Sequence, residues 1–343
     1  MFRARVMPRF PLLIFLTMAS LCSAAAFAQD FADRSDVAAF VRAVSRRHDM
    51  PETAVWDVLL QARAQPRIVA TMTGVSASPV PWRIYRSRFV NPERIGAGLA
   101  FWKANAATLA AARERYGVPE EIIVATLGVE THYGKQQGGH RALDALATLA
   151  FDYPPRASFF RDQLEEFIVL TRELALDPAA VRGSYAGALG IPQFMPGSYR
   201  HFGVDFDGDG RIDLFANAAD AIGSVARFYQ AHGWQTDESV AVPAMLGGGD
   251  AGGLLEPGIQ PTWPLERLLA GGVAPAVSLP PGIPAMLLAL EGTAGTEYWV
   301  GLSNFYVITR YNRSVNYAMA VFQLGRELRA LTDLATGLRA QGE

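Results

Sequence analysis

The sequence predicts a mainly α-helical protein with one small β-rich insertion ahead of its last helix. Two observations carry this. Apolar residues recur at three-and-four spacing over most of the chain, in segments bounded by helix stop signals. One stretch, Val240 to Gly301, breaks the pattern with Gly and Pro clusters around short apolar runs such as Ala285 to Leu290 and Tyr298-Trp299-Val300, which read as strands and loops.

From Asp36 to about Arg63, Val37, Phe40, Val41 and Val44 mark a helical stretch, and a loop rich in Ser and Pro follows from Thr73 to Trp82. A second helix is expected from Asn91 to Tyr116, closed by Gly117. Pro119 opens the next one at its first turn, where Glu120 and Glu121 suit the helix dipole, and Gly134 ends it. Ser158 reads as the N-cap of a helix whose Phe160, Leu164, Phe167 and Leu174 share a face, with Asp177-Pro178 as the stop. Two more helices are expected, Asp220 to His232 and Ser314 to about Thr332. The resulting division is a leader at 1–28, a helical region at 29–240, the insertion at 241–301 and a closing helical part at 302–343. No internal repeat of solenoid length is evident.

The leader reads as a secretory signal: Arg3, Arg5 and Arg9, an apolar run from Pro11 to Leu21, then small residues ending Ala26-Phe27-Ala28. The run is about a dozen residues, short of the roughly 20 that a membrane span needs. Cys22 is the only cysteine, and the bulky Leu21 before it disfavours a lipid anchor there, so the expected product is exported, soluble and periplasmic rather than an outer-membrane lipoprotein. Loss of the leader removes Cys22 and with it any disulfide, thiol nucleophile or cysteine metal site. With 31 basic and 33 acidic residues, net charge −2, the chain lacks the electrostatic footprint of nucleic-acid binding.

Two constellations carry chemistry. Glu130 follows Leu127 by three residues and Ile123 by seven, so a helix sets its carboxyl on an apolar stripe. Desolvation there raises the pKa and lets the group hold a proton near neutral pH, as a general acid must; the bland alternative is a surface Glu near a helix end. Asp144 and Asp152 are the candidates for a second carboxylate, but Asp144 reads as the N-cap of a short helix and Asp152, beside Tyr153-Pro154, as structural. The second constellation runs from Asp205 to Asp213. Asp205, Asp207 and Asp209 occupy positions 1, 3 and 5 of an EF-hand-type loop, Gly210 the turn at 6, Arg211 the backbone-carbonyl position 7 and Asp213 position 9. Ala216 stands where position 12 wants Glu, and Asp220 is the expected closing ligand of a longer loop holding a structural Ca2+.

The string Gly128-Val129-Glu130-Thr131-His132-Tyr133-Gly134 resembles the catalytic Glu-Thr-aromatic-Gly motif of lytic transglycosylases. Further blocks agree in order: Asp144 to Pro154, Gly183 to Gly190, Pro192-Gln193-Phe194-Met195-Pro196, Asn304 to Asn312 and Tyr317-Ala318-Met319-Ala320. Together they resemble the lytic murein transglycosylase B type, glycoside hydrolase family 103, over essentially the whole chain after the leader. The resemblance implies a lysozyme-like helical catalytic domain acting on peptidoglycan glycan strands, at the β-1,4 bond between N-acetylmuramic acid and N-acetylglucosamine. It implies one catalytic carboxyl, Glu130, because the C6 hydroxyl of the muramic residue replaces the water that other glycosidases activate with a second carboxylate. It also implies Ser184, Gln193, Phe194, Tyr311 and Asn312 as groove-lining residues, with Tyr133 shielding Glu130. Arg156 matches the second of two arginines after a Tyr-Pro pair, Pro155 replacing the first, and Phe228 stands where relatives often carry Tyr, keeping stacking without a hydroxyl. No cofactor enters the chemistry. Cell-wall synthesis or division proteins are candidate further partners. Two alternatives stay open: a hydrolytic muramidase on the same fold, and a non-catalytic peptidoglycan-binding protein.

Overall fold

The computed structural model describes residues 30–75, 80–248, 251–255 and 258–340; the expected leader at 1–28, with Leu21 and Cys22, lies outside them. Helices α1 (Ser35–His48) and α2 (Glu52–Leu59) replace the single stretch expected from Asp36 to Arg63. Asp49 turns left-handed at φ 48° and Pro51 follows, which ends one hydrogen-bond ladder and starts another. Helices α3 (Pro66–Val75) and α4 (Trp82–Phe89) flank the Ser- and Pro-rich loop, in stretches to which periodicity assigned no element. The long helix expected from Asn91 is two, α5 (Pro92–Ala104) and α6 (Ala106–Tyr116), broken at Asn105. Asn91 caps α5 through its side chain, and Gly117 closes α6 at φ 72°.

Helix α7 (Glu120–Thr131) is the axle of the molecule: Ile122 through Val129 are all buried, against α5, α6, α11 (Ala218–Ala231) and α14 (Val315–Ala340). A helix apolar all round belongs in a core. Pro119 is its N-cap rather than its first residue, and the helix stops at Thr131, three residues before Gly134. The short strands β1 (His140–Arg141) and β2 (Arg182–Gly183) pair antiparallel and bracket α8 (Ala142–Asp152) and α9 (Ala157–Glu173). Two capping expectations are corrected here. Asp144 lies inside α8, not at its cap: its carboxylate accepts from the Arg63 backbone N–H at 3.0 Å and pairs with Arg141 at 3.0 Å, joining α8 to the chain after α2. Ser158 is the second residue of α9, which grows directly out of the 3-10 turn Pro154–Arg156 without a side-chain cap. Asp152 pairs with Arg34 at 2.5 Å. A further short helix, α10 (Pro196–Phe202), follows the motif region, and α11 starts two residues before Asp220, capped by Asn217.

Between Ala241 and Gly301 lie β3 (Ala241–Leu246), β4 (Trp263–Pro264), β5 (Val273–Pro275), β6 (Pro284–Gly292) and β7 (Gly295–Gly301), with α12 (Leu265–Ala270) among them. They form one antiparallel sheet in the order β4-β6-β7-β3-β5. Strand β6 explains the unbroken apolar run: Met286, Leu288 and Leu290 join the main helical core, while Ala285 and Leu287 join a second cluster with Leu265, Leu268 and Val273. Alternate side chains point to opposite faces, and here both faces are covered. Two helices follow the sheet, α13 (Ser303–Thr309) and α14, where one was expected.

Candidate active site

Glu130 emerges at the C-terminal end of α7, where the chain takes three consecutive left-handed residues, His132 (φ 52°), Tyr133 (φ 60°) and Gly134 (φ 87°). Such backbone costs free energy in residues other than glycine, of order 1–3 kcal/mol each, and persists only where the surroundings impose it. Thr131 does the imposing: its hydroxyl donates to the Ile191 carbonyl at 2.7 Å and accepts from the Gly134 N–H at 2.9 Å. The end of the helix is thereby tied to the loop from Ser184 to Phe194.

That loop is self-supporting. The Ser184 hydroxyl accepts from the N–H groups of Ala186 and Ala188, and Leu189 and Phe194 exchange backbone hydrogen bonds. Gly190 sits at φ 68°, and a Cβ there would lie 2.3 Å from the Leu214 carbonyl oxygen, so only glycine fits. Gln193, left-handed at φ 51°, donates through Nε2 to the carbonyls of Gln137 and Gly190.

Tyrosines from four elements surround the carboxyl. Tyr317 of α14 donates to Glu130 Oε1 at 2.6 Å. Tyr311 stacks on Tyr317 with ring centroids 6.3 Å apart and donates to the Pro192 carbonyl. Tyr229 of α11 lies 5.7 Å from the Tyr311 ring, and its hydroxyl meets Thr126 Oγ1 at 2.8 Å. Thr126 already gives its proton to the Ile122 carbonyl, so Tyr229 is the donor in that pair. Burial raises the pKa of Tyr85 of α4 to about 12, with the Glu130 charge as the next cause, and raises Tyr229, Tyr311 and Tyr317 as well. All four therefore remain protonated donors. Glu130 itself is pushed up to about 7, chiefly by burial of its carboxyl, with the Tyr317 hydrogen bond acting in the opposite direction.

The structure ties the end of α7 that carries Glu130 to the loop of Ser184 and Gln193 through Thr131 and Ile191, and Tyr311 reaches the same loop at Pro192, with Asn312 exposed beyond the end of α13. It separates others. Phe194 and Phe228 are 2 % and 5 % exposed and lie in one aromatic cluster with Tyr311 at centroid distances of 4.8–5.6 Å, so they are buried packing residues and not an exposed lining. Tyr133 does not shield Glu130: its hydroxyl donates to the Arg94 carbonyl, its ring stacks on Phe101, and it fills the hollow left by Gly98 and Gly128 between α5 and α7. Arg156 is exposed and holds its guanidinium over Phe159 and Phe160 at the start of α9. Tyr85, Tyr229 and Tyr317 were not singled out from sequence. Tyr317 stood inside a quoted motif; Tyr229 and Tyr85 left no signal beyond residue type.

In the acidic loop, Asp205, Asp207 and Asp209 bring carboxylate oxygens within 4.8 Å of one another. Asp205 accepts from the N–H groups of Gly208, Asp209 and Gly210, and Gly210 turns at φ 88°, a hard-oxygen donor set on a tight turn that fits Ca2+. Asp213 and Asp220 fall outside the group. Asp213 caps the turn by accepting from Phe215 and Ala216, while buried Asp220 spends Oδ1 on the Phe206 N–H and Oδ2 on the Asp213 N–H. Asp220 thus holds the two ends of the loop together, which corrects its expected role as closing ligand.

A family model described as the transglycosylase SLT domain matches residues 32–326. The membrane-bound lytic murein transglycosylase B of Escherichia coli K12 is 42% identical over 306 residues, covering 87% of this chain and 83% of that protein. The solved soluble lytic transglycosylase SltB1 of Pseudomonas aeruginosa is 43% identical with TM-score 0.81, covering 90% of this chain and 100% of that one. The Escherichia coli lytic transglycosylase SLT35 is 41% identical over 88% of this chain and 95% of its own, with TM-score 0.82 in complex with bulgecin A and 0.80 in complex with calcium.

Proposed function

The chain belongs to the transglycosylase SLT domain family, and from that membership we propose a mechanism in which Glu130 is both general acid and general base. The protein is a peptidoglycan lytic transglycosylase on a lysozyme-like, mainly helical fold. One observation carries the mechanistic reading: Glu130 is a carboxyl with a pKa of about 7, enclosed by phenols, and both causes of its shift, burial and the Tyr317 hydrogen bond, are uncharged. A carboxyl so tuned is a competent proton donor and acceptor at the same pH.

Protonated Glu130 gives its proton to the glycosidic oxygen as the C1–O bond of the muramic residue breaks. The resulting carboxylate removes the proton from that residue's C6 hydroxyl, whose oxygen closes on C1. The product is a 1,6-anhydro sugar, and the carboxyl ends in its starting state. Tyr317 orients Oε1 and eases the ionised half of the cycle. The Oε1 of Gln193, its Nε2 being engaged, is free for a sugar hydroxyl, and Ser184, Tyr311 and Asn312 complete the groove. The helical region at 29–240 supplies the acid, and the part after 302 supplies Tyr311 and Tyr317, so the sheet at 241–301 is an insertion into one catalytic unit.

Asp205, Asp207 and Asp209, with the Arg211 carbonyl, would hold Ca2+ in a structural role, a reading supported by the calcium complex of SLT35. The order of charges, apolar residues and small residues at the start of the chain supports export to the periplasm; no helix among the described residues is long and apolar enough to cross a membrane.

The test is mass spectrometry of fragments released from purified peptidoglycan by the mature protein and by Glu130→Gln. Release of fragments one water lighter than hydrolytic products, lost in Glu130→Gln, is expected. Hydrated reducing ends would overturn the ring-closing step in favour of hydrolysis.

A further inference from the structure

A cavity of about 1130 Å³ lies away from Glu130, between α4, α14, the start of α7 and the β6–β7 hairpin. It meets α7 at Glu121 and Ile122, nine residues before Glu130, roughly 14 Å along the helix at 1.5 Å per residue. Its size suits a ligand site rather than a packing defect.

The two walls differ in charge. On the helical wall, Arg329 is saturated by Glu120, Glu121 and Asp333, and Arg83 by Glu291, which is 3.0 Å away. Among the described residues Arg86 and Arg326 face no carboxylate: Arg86 donates through Nε to Gln323 at 2.6 Å, and Arg326 lies over the rings of Trp299 and Phe322 at 5.9 and 5.8 Å. Glu327 is the acid on this wall that has no cationic partner. On the facing side, Glu238 and Glu297 have none either, and no cation lines that wall. The aromatic lining carries two further unmet groups. Trp82 and Trp234 are 2 % and 8 % exposed, and the Nε1–H of each is buried without an acceptor.

We propose that this cavity is a second ligand site, for a zwitterionic peptide. Its carboxylate pairs with Arg86 and Arg326, its ammonium group with Glu238, and its apolar surface rests on Trp299 and Phe322. Stripped glycan offers the carboxylate of its muramic acid residues but no cation, and would leave Glu238 without a countercharge, which disfavours a glycan here. The inference rests on the peptidoglycan reading only for the source of the peptide, the strand's own stems, bound at a point remote from the bond being cut.

The test is calorimetric titration of the mature protein with stem peptides freed from purified peptidoglycan by an amidase, and of Glu130→Gln with the stripped glycan. Saturable peptide binding is expected, weakened about tenfold by Arg326→Glu and by Glu238→Lys, the loss of one charge-assisted pair in each case. Both side chains are exposed, and unchanged melting temperatures would show that the variants fold. Absence of peptide binding, or wild-type affinity in either variant, overturns the proposal. So does a stripped glycan whose affinity falls with the same substitutions, which would make this a saccharide site. Fragment release by the wild-type protein reports on the function reading separately.

Discussion

Replacing Tyr317 by Phe removes the one hydrogen bond that Glu130 receives from Tyr317, 2.6 Å long, while keeping the ring in its stack with Tyr311. The donated proton stabilises the carboxylate, so its loss moves the pKa of Glu130 further up from about 7. A hydrogen bond to a charged group contributes about 1.5–3 kcal/mol, and one pKa unit corresponds to about 1.4 kcal/mol, which predicts a rise of roughly one to two units. The leaving oxygen needs the protonated form, so the alkaline limb of the pH–rate profile should move to higher pH by that amount. The maximal rate should also fall, since the carboxyl loses its anchor. The assay is initial rates of fragment release between pH 5 and 10 for both proteins. A limb that stays in place, or moves to lower pH, refutes the idea that Tyr317 acts through the protonation of Glu130.

The same shift makes a stability prediction. Glu130 has its folded pKa raised from 4.5 to about 7, so its neutral form contributes stability that is full below 4.5 and is lost as pH rises through 7. Glu130→Gln, which stays neutral, should match the wild type at pH 4 and be more stable at pH 8 by up to about 3 kcal/mol in denaturant unfolding; an equal or lower stability at pH 8 would contradict the burial argument. For the acidic loop, Ca2+ at about 100 times its Kd should add about 2.7 kcal/mol, a gain that chelation and Asp207→Ala both abolish; melting curves that coincide with and without Ca2+ would remove the metal reading. Gly128→Ala gains about 1 kcal/mol of helix propensity, but its Cβ would meet the Tyr133 ring at 2.7 Å, and that ring is held by Arg94 and Phe101. Overpacking of about 1–3 kcal/mol should win, and a variant as stable as the wild type in urea would show that Tyr133 can move.

The class of fold and the family were legible in the sequence alone, and Glu130 stood out as the candidate acid, because each is written in local order: apolar spacing, breakers, and the string from Gly128 to Gly134. The acidic loop was legible for the same reason, since its three clustered aspartates lie within five residues. Helix ends were less so. Asp49 and Asn105 break ladders with no glycine at the break, Asp144 looks like a cap but is held inside its helix by contacts to Arg63 and Arg141, and Ser158 lies inside α9 because the 3-10 turn before it already starts the helix. The stripe argument for Glu130 reached a desolvated carboxyl by an incomplete route. Helix α7 is buried on every side from Ile122 to Val129, so its apolar stripe does not distinguish Glu130. Only the tertiary structure decided how the carboxyl is tuned. Desolvation and the Tyr317 hydrogen bond come from groups as far as 187 residues away, and the pKa of a side chain belongs to its neighbours in space.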